Sequence, residues 1–297
     1  MHSQTIKPEP TRKRLPVPKP KYPFINALLR PFGAEAVPLA TRQDEIDRKQ
    51  QLEHLGYLEK APYALPPGLA GFDIQPFVQL LETYGDDLAR LHAPDSNDTG
   101  FDPENGYFGS PDADALYLLI RDNKPRRVIE VGCGNSTKVT RQAVIDGQLD
   151  TTITAIDPMP RADIAHLVDR FEQTHLENLP DSLFDQLETG DVVFIDSSHQ
   201  VRLANDVAHL FCRIIPRLAP GVIIHVHDVF LPYEYPKRFY YDCPSWGEQY
   251  VLHALLQSGG YEILWPGYYL QRAHPAAERR LPFLKNGRAQ SFWIRKL

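Results

Sequence analysis

Cysteine is scarce in this chain and long apolar runs are missing, and each shortage narrows its class. Cys133, Cys212 and Cys243 are the three cysteines among 297 residues. They are odd in number and lack metal-type spacing, which argues against a disulfide framework and implies a reducing compartment. No stretch approaches the roughly 18 consecutive apolar residues of a membrane span, and no apolar segment follows the N-terminal charges as in a secretory leader. The expected setting is the cytoplasm, with no membrane partner. Positive charge is not in excess: the formal net charge is -6 at pH 7, which speaks against a basic surface holding nucleic acid. No internal repeat is visible. With 42% hydrophobic residues, the chain can bury one large core beside a smaller extension.

The proline-rich and basic stretches Lys7-Pro8-Glu9-Pro10 and Pro16-Val17-Pro18-Lys19-Pro20 carry almost no core-forming residues, so residues 1–24 read as a disordered tail. A docking segment for an acidic partner is the functional alternative. Residues 25–106 read as an extension of helix and loop, suited to a lid or a dimer contact, and a homo-oligomer stays open. Within it, Thr41 to Leu58 forms a charged helix capped by Thr41, with Ile46, Leu52 and Leu55 along one side. Ala93 to Gly109 is loop-like, and Pro111 to Arg121 is a helix leading into the main domain, 107–297, which carries an insertion at 229–246.

That domain begins with Arg126-Arg127-Val128-Ile129-Glu130-Val131-Gly132-Cys133-Gly134-Asn135-Ser136-Thr137, a buried strand turning through a glycine loop into a helix. Gly132 and Gly134 allow close backbone approach to a ligand, while Ser136 and Thr137 cap the helix whose N–H groups face the same space. Cys133 reads as a packed thiol. Thr137 stands where a dinucleotide fingerprint needs its third glycine. Glu130 would repel a pyrophosphate, whereas S-adenosylmethionine brings an ammonium and a sulfonium to this spot. The next strand, Thr152 to Ile156, ends at Asp157, placed to accept hydrogen bonds from ribose hydroxyls. With Glu130, Gly132, Gly134 and Asp157 in these places the chain resembles class I S-adenosylmethionine-dependent methyltransferases.

Further buried runs end in acids, Asp191 to Asp196 and Gly221 to Asp228. Arg161 to Val168 and Val201 to Ile215 read as helices, with Pro216 to Gly221 as punctuation. A weak strand near Phe171 to Leu176, a helix at Trp246 to Gln257, and strands at Tyr261 to Trp265 and Gln290 to Arg295 complete the reading. The expectation is an α/β, Rossmann-like, doubly wound seven-stranded sheet, mostly parallel, with an antiparallel last strand and helices on both faces. Ligands in such sheets lie beyond the carboxyl ends of the strands, where all four acids fall.

Asp196 and Asp228 then stand at neighbouring strand tips, with His199 on the loop after the first. This is similar to metal-dependent O-methyltransferases of the catechol and macrolide-sugar types, in which such acids hold magnesium and a histidine three residues on acts as base. The resemblance implies Asp196, His227 and Asp228 as ligands of Mg2+ or another divalent cation, with His199 and Asp228 as catalytic residues. His227 occupies a position where those families have an acid, and its nitrogen favours a transition metal. His225, one pleat deeper, reads as a buried hydrogen-bonded histidine. Implied cofactor contacts are Glu130, Gly132, Gly134, Ser136, Thr137, Asp157 and Asp196. The run H-D-x-F-L-P-x-x-Y-P from His227 to Pro236, followed by W-x-E-Q-Y from Trp246, resembles a bacterial subgroup of the same class. The aromatics Tyr233, Tyr235, Phe239, Tyr240 and Tyr241 form either an acceptor lid or a packing cluster, and Glu248 and Gln249 either start a helix or hold that lid. The implied activity is methyl transfer to a small-molecule acceptor, preferentially at oxygen. The alternatives are a metal-free N- or O-methyltransferase and a non-catalytic cofactor-binding regulatory module.

Overall fold

The computed structural model describes residues 23–32, 36, 39–93, 97–242, 245–274 and 276–297. The tail expected at 1–24 lies outside them except for Pro23 and Phe24, and so does Cys243. The chain divides into two compact units, Met1–Gly56 and Tyr57–Leu297. The smaller unit holds helices α1 (Pro23–Leu29) and α2 (Leu39–His54). The charged helix thus starts two residues before Thr41 and stops short of Leu58, with Gly56 in the left-handed region (φ 68°) just beyond its end.

The larger unit is built on a seven-stranded sheet: β1 (Arg127–Val131), β2 (Thr152–Ile156), β3 (Arg170–Glu172), β4 (Val192–Ile195), β5 (Ile223–Val226), β6 (Tyr261–Pro266) and β7 (Phe292–Lys296). Their order is β3-β2-β1-β4-β5-β7-β6, and β7 runs antiparallel between β5 and β6. The expected architecture is the one observed. Register does the positioning. Val131 pairs with both Ile156 and Ile195, and Ile195 pairs with Val226. The tips of four strands are therefore level, and the residues that follow them, Gly132, Asp157, Asp196 and His227-Asp228, emerge along one edge.

Successive side chains in these strands feed opposite cores. Val128 and Phe194 join Trp265 and Trp293 on one face, packed by α3 (Gln75–His92), α4 (Asp112–Asn123) and α5 (Asn135–Gly147) through Phe77, Leu91, Tyr117, Leu118, Val139 and Ala143. Ile129, Val193, Ile195 and Ile224 face the other core with Val207, Leu210 and Ile214. Each such buried side chain contributes about 1.5 to 3 kcal/mol of transfer free energy. Helix α3 has no counterpart in the sequence reading, although Phe77, Leu81, Tyr84, Leu88 and Leu91 recur at three-to-four spacing. It anchors part of the expected extension, residues 57–93, within the larger unit.

Two expected helices are shorter than their apolar spacing suggests. Arg161 to Val168 forms only a single turn, Ala165–Leu167, because it is a short crossover that presses Ile164 and Leu167 onto Cys133 and Ala155. Val201 to Ile215 begins its helix at α6 (Asp206–His209), capped by Asn205, whose side chain accepts from the Ala208 N–H. It continues through a wide turn at Leu210–Ile214 and a tight one at Ile215–Arg217, where Pro216 lacks the N–H that a regular helix uses. The insertion carries α7 (Lys237–Asp242), and α8 (Glu248–Leu256) follows it. Among the described residues no helix is long and apolar enough to cross a membrane.

Candidate active site at the carboxyl edge of the sheet

The glycine loop is shaped by what passes beneath it. Gly132 sits at φ 80°, and a β-carbon there would fall 1.8 Å from the Asp196 carbonyl oxygen, so only glycine fits between the two strand tips. At Gly134 a β-carbon would meet nothing within 4 Å; the open side of the loop leaves room for a ligand to lie against the backbone. Glu130 is 1% exposed and accepts from Ser136 Oγ and Thr137 Oγ1, each at 2.5 Å. Thr137 Oγ1 in turn accepts from the Gly134 N–H at 3.0 Å. These three side chains are directed at one another, so they brace the loop from below. Burial pushes the Glu130 carboxyl up to about 8, against the lowering effect of the two hydroxyls.

Asp157 ties the loops together: Oδ2 accepts from the Cys133 N–H at 3.0 Å and Oδ1 from the Met159 N–H at 2.7 Å. Its carboxylate is thereby fixed beside the glycine loop, with lone pairs remaining for ribose hydroxyls. Cys133 is buried, and desolvation with the nearby acids Glu130 and Asp157 raises its thiol far above the usual range. It is a packed thiol, not a nucleophile.

Past β4 the chain makes a tight turn. Ser198 donates to Asp206 through both its N–H (2.8 Å) and its hydroxyl (2.7 Å), and His199 adopts φ 57°. The His199 carbonyl accepts from the N–H groups of Gly247 (2.9 Å) and Glu248 (3.3 Å), which seats the start of α8 on this turn. The His199 ring, packed 4.5 Å from Trp246, then meets three carboxylates. Nε2 is 3.2 Å from Asp196 Oδ1 and 3.3 Å from Asp228 Oδ2, while Nδ1 is 3.0 Å from Glu248 Oε2. One ligand atom each from Asp196, His199 and Asp228 lies within 4.8 Å of the other two.

Charge follows from this geometry. Burial alone would lower the His199 pKa, but Asp196, Glu248 and Asp228 together hold it well above the ordinary imidazole value. Asp196 also feels burial pushing up, yet His227 and His199 hold it well below the usual carboxylate range. Burial raises both Asp228 and Glu248. With no cation bound, the three carboxylates favour the protonated ring, which is not the form that takes a proton.

His227 is not part of this cluster. Strand alternation turns it to the face of His225, whereas Asp228, at φ 55°, turns the other way. His227 packs 5.2 Å from Phe108 and lies 3.4 Å from Ser291 Oγ. Among the described residues, the nitrogen that lies beside the Asp196 and Asp228 carboxylates is that of His199. His225 bonds Ser291 Oγ at 3.0 Å, stacks on Phe194 at 3.8 Å between ring centroids, and is held neutral by burial and by His227. The buried Asp112 accepts from the Ser291 N–H at 2.9 Å.

The insertion is held by a buried acid that sequence reasoning passed over. Glu234 accepts from Tyr63 Oη (2.5 Å), Tyr250 Oη (2.6 Å) and the Tyr235 N–H (2.8 Å). Gln249 Oε1 accepts from the Phe230 N–H at 3.0 Å. Phe230, Tyr235 and Tyr240 are buried there with Phe239, Tyr241, Trp246 and Tyr268 against them, so these rings pack the insertion onto the domain. A cleft of about 680 Å³ lies elsewhere, lined among others by Phe72, Phe77, Tyr261, Leu264 and Arg295. Because Arg295 pairs with the first residue of β5, that cleft is at the amino end of the parallel strands, at the opposite end from Asp157, Asp196 and Asp228, whereas ligands of such sheets lie beyond the carboxyl ends.

Residues 129–229 match a family model described as a methyltransferase domain. No curated protein matches the chain. Among solved structures the chain is similar to the methyltransferase PaMTH1 of Podospora anserina with SAH bound, at 17% identity over 89% of this chain and 99% of that one (TM-score 0.40). It is also similar to an O-methyltransferase of Bacillus cereus in complex with SAH, at 15% identity over 84% and 97% (TM-score 0.38). A third similarity is to the O-methyltransferase TomG of Streptomyces achromogenes in complex with SAM, at 16% over 79% and 92% (TM-score 0.37). Likenesses this distant carry no residue-level conclusion. The family match spans the glycine loop, Asp157 and the Asp196–His199–Asp228 cluster, so the residues brought together at this sheet edge lie within the stretch that matches a methyltransferase domain.

Proposed function

We propose that this protein transfers the methyl group of S-adenosylmethionine to a hydroxyl oxygen of a small-molecule acceptor, with a divalent cation held at Asp196, His199 and Asp228. The observation that carries the reading is the convergence on one sheet edge of a glycine loop, the ribose-type acid Asp157 and this cluster. Asp157 would bind the ribose, and the backbone from Gly132 to Asn135 would lie against the amino acid part, with Glu130, Ser136 and Thr137 bracing it. The cofactor supplies an electrophilic methyl on sulfur: the acceptor oxygen forms the new C–O bond, the C–S bond breaks, and its electron pair stays on sulfur.

The acceptor's proton must also leave. Asp228 Oδ2 faces His199, while Oδ1 has no hydrogen-bond partner among the described residues, so this oxygen is the one we assign to receive the proton. A cation at the cluster would lower the hydroxyl's own pKa and fix its position. The remaining contribution is orientation of the two substrates. Calorimetric titration with S-adenosylhomocysteine tests the reading: binding is expected, with Asp157→Ala weakening it by about 1 to 3 kcal/mol. Preference for NAD would overturn it.

A further inference from the structure

Within that reading, we infer that Glu248 is a positioning residue that presents His199 as a nitrogen ligand, so that the Asp196–His199–Asp228 cluster selects a first-row transition-metal dication over Mg2+. The hydrogen bond at 3.0 Å from His199 Nδ1 to Glu248 Oε2 places a proton on Nδ1 and directs Nε2 at Asp196 and Asp228. The separations of 3.2 and 3.3 Å from Nε2 to the two carboxylate oxygens are close to the spacing of about 3 Å between adjacent ligands on an octahedral ion with bonds of about 2.1 Å.

The charge count points to a dication. Three carboxylates meet the His199 ring; His227 acts on Asp196 and Asp228 and Arg161 on Asp228 from farther off, but among the described residues no lysine or arginine forms an ion pair with Asp196, Asp228 or Glu248. Glu248 is 1% exposed, and its second oxygen, Oε1, is buried without a hydrogen-bond partner. A buried carboxylate left half unsatisfied beside two others is costly unless positive charge stands close by. A dication bound to His199 Nε2 supplies that charge and turns Glu248 into the outer carboxylate that fixes the ring's tautomer and raises its basicity as a ligand. Magnesium prefers oxygen donors, whereas an imidazole in the set favours Co2+, Zn2+ and the other later first-row dications, with Mn2+ between the two.

The test uses the full chain, stripped with a chelator and titrated calorimetrically with Mg2+, Mn2+ or Co2+ alone, with the Co2+ absorption spectrum as a second readout. Co2+ and Mn2+ are expected to bind more tightly than Mg2+. Glu248→Ala should weaken Co2+ binding by about 10- to 100-fold and shift its spectrum, while Glu248→Gln, which keeps an acceptor for Nδ1–H, should lose less. S-adenosylhomocysteine affinity monitors the fold; if Glu248→Ala fails that control, Glu248→Gln decides alone. Equal or tighter binding of Mg2+, no dication binding, or wild-type Co2+ affinity in the folded variants would overturn the inference. Tight Co2+ binding by a chain that ignores S-adenosylhomocysteine would uphold this site and remove the methyltransferase reading instead.

Discussion

The backbone of Gly132 passes so close to Asp196 that a β-carbon on the first would stand 1.8 Å from the carbonyl oxygen of the second. The cofactor loop and the turn carrying the acidic cluster are therefore built against each other. Gly132→Ala must both force a left-handed alanine and displace the end of β4. We expect a loss of about 2 to 5 kcal/mol in stability and of S-adenosylhomocysteine binding, measured by denaturant unfolding and calorimetry. A variant as stable as wild type would show that the approach is looser than described.

Glu130 gives the loop a pH signature. Its carboxyl, ordinarily at 4.5, is held at about 8 first of all by burial, so the folded state binds this proton more tightly than the unfolded state does. The resulting stabilisation is complete below about pH 4.5 and is lost as pH rises to about 8, at up to about 1.4 kcal/mol per pH unit. Glu130→Gln cannot titrate. Melting temperatures of the two proteins should diverge across that window in the variant's favour and run parallel above it; parallel curves throughout would contradict the assignment.

Asp228→Asn removes the proposed proton acceptor with little change in volume. Transfer of a labelled methyl group to the acceptor should fall by about 10² to 10⁴ while S-adenosylhomocysteine affinity changes by less than a few fold. Unchanged transfer, with chemistry limiting the rate, would assign the proton to another group.

The insertion rests on Glu234. Tyr63→Phe and Tyr250→Phe each withdraw a hydroxyl donor from this buried acid, and each should cost about 1 to 3 kcal/mol in urea unfolding. Effects below about 0.5 kcal/mol in both would mean that water replaces the tyrosines.

Legibility from sequence followed the range of the interactions. The strands were plain because runs such as Val192 to Ile195 are buried on both faces, and their terminal acids align through local register. The glycine at 132 was visible as a loop residue, whereas its reason, the Asp196 carbonyl oxygen 1.8 Å from where a β-carbon would stand, comes from a distant strand. Spacing misled at Arg161 to Val168, where a short crossover leaves no length for the helix its apolar residues suggest. The pairing of His199 with Glu248 spans 49 residues and depends on the seating of α8, which no local pattern encodes. Sequence alone does not separate His227 from Asp228, because adjacent residues face opposite ways and only the fold shows that Asp228 takes the side of Asp196 and His199.

The central claim is that one edge of the sheet holds the cofactor beside the acidic cluster, and a crystal structure with S-adenosylhomocysteine bound measures it most directly. The account predicts ribose hydroxyls on Asp157, the amino acid part along the Gly132 to Asn135 backbone, and the sulfur facing the edge of Asp196 and Asp228. A ligand seated in the cleft near Phe72 and Leu264, or one whose ribose makes no contact with Asp157, would contradict it.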